Sequence, residues 1–218
     1  MTRARETREL IDALLSRHGR TFAQELRIRV ERNTPAPLFQ LLYAALLMSA
    51  RIPAKNAVQA TRALIDAGLT TPQKMAAATW QERVDVITWH GYKRYDEKTS
   101  TMLGQTAERL LERYRGDLRA LREEAERDVQ REHQLLQQFK GIGKVGADIF
   151  LREVQLAWPE VHPYADDRVR EAADQLGLPA EPRELAKLVS REDFPRLAAA
   201  LVRADLAKDY DAVRSRAA

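Results

Sequence analysis

The chain has 218 residues, no cysteine, and 36 Lys and Arg against 32 Asp and Glu, for a formal net charge of +4. Without a thiolate, disulfides, Cys-based zinc sites and cysteine-ligated iron–sulfur clusters are excluded. An apolar content of 44% and a charged content of 31% fit one or two compact lobes, and the mild basicity permits nucleic-acid binding without demanding it.

The periodicity predicts an all-α fold. Residues 7–18 carry Leu10, Ile11, Leu14 and Leu15 on one stripe. Pro35 and Pro37 open an apolar segment, residues 38–50, expected to be buried nearly all round as the central helix of a first lobe. Residues 54–67 end at Gly68, as a glycine just past a helix would end them. Residues 72–78 and 80–88 read as shorter helices, and 93–115 as a long, charged surface helix stopped by Gly116. Further helices are expected near 166–176, 181–189 and 193–204, with a last turn to the C-terminus. No alternating apolar pattern of strand length occurs. No apolar run approaches the ~18 residues of a membrane helix, and MTRARETREL has no signal-peptide apolar core, so a soluble, cytoplasmic protein is expected, nucleoid-associated and a monomer.

Residues 136–151, LQQFKGIGKVGADIFL, are the most informative stretch. Leu136 and Phe139 belong to one short helix, Ala147 and Phe150 to the next, and Gly141-x-Gly143 joins them. Both glycines suit a tight turn with φ > 0 and no Cβ. Ala147 is small where the second helix must cross close to the first. The unpaired N–H groups opening that second helix are natural partners for a phosphate, and Lys140 and Lys144 flank the turn. A lone GxG also makes plain structural corners, so the hairpin alone leaves both readings open.

Residues 161–168, VHPYADDR, then set an acidic pair, Asp166 and Asp167, after a proline and at the start of another helix. Hairpin and acidic pair together resemble the helix-hairpin-helix DNA glycosylases of the endonuclease III superfamily. There an LPGVGRKTA-like hairpin precedes a VDTH-like segment with an essential aspartate. The resemblance extends upstream to about Pro35 and covers most of the chain. It implies two helical lobes, residues 34–134 inserted between 1–33 and 135–218, with the hairpin and Asp166 facing the cleft that takes a flipped base. It also implies double-stranded DNA containing a damaged base as the partner. Asp166 falls at the aspartate position and would stabilise an oxocarbenium-like sugar or orient the attacking water. Asp167 reads as a capping or first-turn acid. Lys140, Gly141, Gly143, Lys144, Val145 and Gly146 would carry the DNA contacts. Many relatives hold a [4Fe–4S] cluster on four cysteines; none is expected here, nor any other cofactor.

Two departures from the pattern matter. Bifunctional members have a nucleophilic lysine where this chain has Val145, so base removal without strand cleavage is implied. Arg168 stands where the family often has a histidine. Gly141-Ile-Gly-Lys144 followed by Ala147-Asp148 is similar to the cluster-free branch that acts on alkylated purines such as 3-methyladenine. Residues 88–98, TWHGYKRYDEK, interleave aromatics with bases. By family position this segment lies beside the DNA, with Trp89, His90, Tyr92 and Tyr95 as wedge or pocket candidates and Arg51 entering the duplex. A plainer reading packs Trp89 and Tyr95 between helices. His18, His90, His133 and His162 lack metal-ligand spacing, fit ordinary surface or packing roles, and predict no metal. Two other readings remain beside the monofunctional glycosylase: a non-catalytic DNA-binding protein that kept the hairpin, and a helical protein with no nucleic-acid role.

Overall fold

The 3.6-residue periodicity closes into helices in the computed structural model, which describes residues 3–88 and 96–217; no strand occurs among them. In chain order these are α1 (Arg3–His18), α2 (Phe22–Leu26), α3 (Pro35–Met48), α4 (Ala54–Asp66), α5 (Pro72–Ala77), α6 (Trp80–Thr88) and α7 (Asp96–Tyr114). There follow α8 (Leu118–Glu124), α9 (Val129–Leu136), α10 (Lys144–Val154), α11 (Asp167–Gln175), α12 (Pro182–Ala186), α13 (Phe194–Ala207) and α14 (Tyr210–Ala217). The fold is all-α, as the sequence predicts.

Local chemistry sets the boundaries. Proline occupies the first turn of α3, α5, α12 and α13, where its missing N–H costs nothing. Gly68, at φ +79°, ends α4: its N–H donates to the Ile65 carbonyl, and that of Leu69 to Leu64, over 2.9 and 3.0 Å. α2 and α8 have no counterpart in the sequence reading. Each is short and rests on a side-chain cap, Thr21 accepting from Gln24 N–H and Asp117 from Arg119 N–H.

α3 is the centre of the core. Leu38, Phe39 and every residue from Leu41 to Leu47 are buried, and the helix packs on α4, α7, α8 and α10. Residues 96–114 depart from the expected surface helix. Thr99, Ser100, Leu103, Thr106, Ala107, Leu110 and Tyr114 are all buried, because α7 lays one whole face against α5 and α6. Buried Arg83 staples that contact by donating to the Ser100, Met75 and Ala78 carbonyls. Near the termini, α1 packs on α13 and α14, and α11 on α13. α10 touches both α3 and α13, so the helix that follows the glycine hairpin joins the two sets of helices.

Candidate active-site cleft

The hairpin between α9 and α10 needs a glycine at one of its two positions. Gly141 has φ +88°, and a Cβ there would lie 2.6 Å from Met102 Sδ and 3.3 Å from Leu46 Cδ1. Gly143 does not share that demand. It is the extended N-cap of α10, at φ −93° and ψ −167°, with open space where a Cβ would go, which corrects the reading that both glycines need φ > 0. The second tight position is Gly146, whose Cβ would meet Ile142 Cγ2 at 3.3 Å and Ser49 Oγ at 3.6 Å. Gly146 and the buried Ala147 thus let α10 cross close to the end of α3. Thr106 Oγ1 donates to the Lys140 carbonyl over 3.1 Å and ties the hairpin to α7. The Lys140 side chain stays exposed, and Val145 is 58% exposed although apolar.

One face of α10 carries Lys144, Asp148 and Arg152 at successive four-residue steps. Lys144 Nζ reaches across to Asp167 Oδ2, 2.6 Å away, in an exposed pair that bridges the hairpin to α11. The Asp167 hydrogen bond pushes the Lys144 amine up from its ordinary range, and in return holds the Asp167 carboxyl down. Arg152 and Asp166 form a second pair, and their side chains are only 4% and 6% exposed. Asp166 Oδ2 accepts from Arg152 Nη1, while Oδ1 accepts from Val169 N–H at 3.0 Å. Asp166 is therefore the N-cap of α11, and Asp167 is the exposed acid of its first turn. Of the two roles offered for Asp167, capping belongs to its neighbour.

Behind these pairs lies a hydrogen-bonded cluster. Asp148 Oδ1 accepts from Tyr164 Oη at 2.5 Å and meets His133 Nε2 at 2.9 Å. Gln137 Nε2 lies 3.0 Å from His133 Nδ1, so the imidazole of the neutral form donates toward Asp148. Buried Gln155 clamps the Tyr164 backbone from both sides, donating to its carbonyl at 3.1 Å and accepting from its N–H at 2.7 Å. Burial, then the Asp148 carboxylate, pushes the Tyr164 phenol far up, so it remains a proton donor at any physiological pH. His133 is thus a partner in the site, where the sequence reading gives it an ordinary role.

Two recesses meet at these side chains. One, of about 660 Å³, has apolar walls from Met48, Ile52, Val145, Ile149 and Leu206 and reaches Arg152 and Asp166. The other, of about 380 Å³, is lined by His133 and Tyr164. Both are lined by Lys144, Asp148, Asp166 and Asp167. Arg168 pairs with Asp205 of α13 at 2.9 Å. Arg51 is exposed and lines, with Lys98, a recess beside Gly141. Trp89, His90, Tyr92 and Tyr95 lie outside the described residues. His18 pairs with Asp209 at 2.8 Å, and His162 stands edge-on to the Phe194 ring. No group of three metal-ligating side chains occurs among the described residues. An iron–sulfur cluster, which the family resemblance would bring, has no ligand in a chain without cysteine. The residues that sequence reasoning missed are Arg152, Asp148, His133 and Tyr164. The four-residue spacing from Lys144 was the available signal for the first two.

No protein-family model matches the chain, and no curated protein matches it by sequence. Solved structures do match. One is a trapped covalent intermediate of endonuclease III with DNA, an estranged-adenine complex: 17% identity, 94% of this chain, 86% of that chain, TM-score 0.52. Another is a non-covalent endonuclease III–DNA complex, with the same identity and coverage and a TM-score of 0.53. No helix of the described residues is long and apolar enough to cross a membrane. The fold of this chain is the endonuclease III fold.

Proposed function

We propose that the protein is a monofunctional DNA glycosylase, which hydrolyses the N-glycosidic bond of a flipped, damaged base and leaves the strand intact. The observation that carries this reading is the fixed carboxylate of Asp166 at the polar end of an apolar cleft, beside the α10 hairpin. Residues 34–134 would form one lobe and residues 1–33 with 135–218 the other, with duplex DNA across the hairpin. The structural neighbours, both complexes with DNA, support that partner. Phosphate would meet the free N–H groups at the start of α10, with Lys140 and Lys144 beside it. Arg51 would enter the duplex near the same turn.

The extruded base would fill the space between Met48, Ile52, Val145, Ile149 and Leu206. As the C1′–N bond breaks, positive charge develops on the sugar, and Asp166 stabilises it from a position fixed by Arg152 and the α11 N-terminus. Val145 offers no amine. Lys144, the neighbouring amine, is held charged by Asp167, whereas a Schiff-base lysine needs a lowered pKa. Hydrolysis is therefore the chemistry, with no cofactor. An alkylated purine is the favoured substrate, because its cationic ring leaves without being protonated first.

A second reading, a DNA-binding protein without catalysis, draws on the engagement of both Asp166 oxygens and the offset of their charge by Arg152. The deciding experiment incubates the protein with duplexes carrying a panel of alkylated, oxidised and deaminated bases, with borohydride in parallel. Free base without strand breaks or a trapped adduct is expected. A trapped adduct would contradict the monofunctional assignment, and DNA binding without release from any lesion would favour the second reading.

A further inference from the structure

Asp148 is the other carboxylate lining both recesses, and it differs from Asp166 in what it leaves free. Both Asp166 oxygens are occupied and its charge is offset by a buried guanidinium. Asp148 gathers both of its partners, Tyr164 Oη and His133 Nε2, on Oδ1. Its side chain is 13% exposed, and that exposure opens toward the recesses. The support around it is rigid: Gln155 clamps Tyr164, Gln137 orients His133, and α10 carries Asp148 itself. Such a shell holds a side chain to within the tolerance that chemistry requires. No purely structural need explains a Tyr and a His, each held by a Gln, converging on one partly open carboxylate.

We propose that Asp148 is a second catalytic carboxylate of the cleft, the one that orients the attacking water and takes its proton, with His133 and Tyr164 as positioning residues. This rests on the glycosylase reading above. In the step, the water oxygen bonds to C1′ as the C1′–N bond breaks, and that bond's electron pair leaves with the base. A cationic purine departs neutral, and the proton lost by water goes to Asp148 and then to solvent. Asp166, held by Arg152 and the Val169 N–H, stabilises the sugar cation. Two carboxylates with separate surroundings thus divide the work, one fixed and compensated, one with an oxygen left open for water.

The charged and titratable groups around Asp148 come from each element packed on it. Lys144 and Arg152 lie on its own helix, Asp166 and Asp167 come from the start of α11, Tyr164 from the segment before it, and His133 from α9. Of these, Tyr164 and His133 touch it directly, both on Oδ1.

The test uses the full-length protein and single-turnover release from a 3-methyladenine duplex. Asp148→Asn, which keeps the hydrogen-bond acceptor for Tyr164, is expected to slow release on the order of 10²-fold, while affinity for a tetrahydrofuran abasic duplex changes less than about 3-fold. His133→Ala, which removes one partner of Asp148, should slow release about 10-fold with little change in affinity for the abasic duplex, and His133→Gln, whose amide can still donate to Asp148, should recover most of that loss. Wild-type release by Asp148→Asn or by His133→Ala would overturn the proposal. If wild-type protein releases no base from 3-methyladenine or from any other lesion of the panel, the glycosylase reading fails by itself, and charge is then read by binding. A duplex with a cationic pyrrolidine abasic analogue should bind about 10-fold more tightly than the tetrahydrofuran duplex, and Asp148→Asn should abolish that preference. Equal binding of the two analogues by wild type, or an unchanged preference in Asp148→Asn, would also overturn it.

Discussion

Replacing Arg152 by Met should destabilise the protein far more than an ordinary arginine substitution. Methionine keeps the length and apolar stem, so little packing is lost. What is lost is the guanidinium that pairs with a carboxylate whose side chain is 6% exposed. Asp166 would keep one hydrogen bond, from Val169 N–H at 3.0 Å, and its remaining oxygen would be left unpaired at the buried edge of the cleft. Removing one partner of a buried ion pair costs about 3–5 kcal/mol, because the survivor is left charged and uncompensated. In a chain of this size that corresponds to a Tm lower by roughly 6–20 °C, at 2–4 °C per kcal/mol. Asp166→Asn should cost a comparable amount: it preserves the cap to Val169 but strands Arg152, whose side chain is 4% exposed. The double variant Arg152→Met/Asp166→Asn removes both charges, so it should be more stable than the sum of the single losses by about 2 kcal/mol. Urea melts of the four proteins at one pH complete the cycle. A loss below about 1 kcal/mol for Arg152→Met, or strict additivity, would refute the claim that the two side chains form one buried unit.

The hairpin glycines should separate cleanly: Gly141→Ala carries left-handed strain and a Cβ 2.6 Å from Met102 Sδ, and should cost about 2–4 kcal/mol, whereas Gly143→Ala should fall within about 0.5 kcal/mol of wild type by the same melts. Equal losses would refute the assignment of the turn to Gly141. Glu132 is fully buried, and burial, then a hydrogen bond with Glu160 and its nearby charge, pushes the Glu132 carboxyl from its ordinary 4.5 up to about 8. Glu160 is itself held down by Arg122 against the effect of its own burial, so the shared proton sits on Glu132. The folded state then keeps a proton that the unfolded chain loses near pH 4.5, and stability from this group falls as pH rises from there to about 8. Glu132→Gln should match wild type near pH 4 and exceed it increasingly up to pH 8; a stability difference independent of pH would count against this. Lys144→Ala should weaken binding to all duplex sequences alike and reduce the salt slope by about one ionic contact, and an unchanged slope would remove Lys144 from the phosphate contacts.

Much of this molecule is written locally in its sequence. Helix α3 announces itself by an apolar run too continuous for one face, and the start of α11 by a proline followed by two acids. The glycine hairpin is equally plain, yet its details are not: Gly141 and Gly143 look alike in sequence, and only the approach of Met102 and the path of the chain make one indispensable. The buried face of α7 is hidden in the sequence because its apolar positions are interleaved with Thr and Ser, whose hydroxyls find partners only after docking. The Asp148–His133 and Arg152–Asp166 contacts join residues 15 and 14 positions apart on different elements. Their meeting depends on the angle at which α10 crosses α9 and faces α11, which no local pattern encodes. The spacing of Lys144, Asp148 and Arg152 did mark a charged face on an otherwise apolar helix, and such a face near a cleft is worth reading as chemistry.

The central claim is that Asp166, and not its neighbour, carries the reaction, and one comparison tests it most directly. Single-turnover release of 3-methyladenine from a duplex is measured for wild type, Asp166→Asn and Asp167→Asn, at a temperature where melts show all three folded. Asp166→Asn should release base on the order of 10²–10³ times more slowly while still binding an abasic-analogue duplex, since the charge it removes acts on the breaking bond. Asp167→Asn, which loses only exposed contacts to Lys144 and Arg170, should stay within about 3-fold of wild type. Undiminished release by Asp166→Asn, or its abolition in Asp167→Asn instead, would contradict the account.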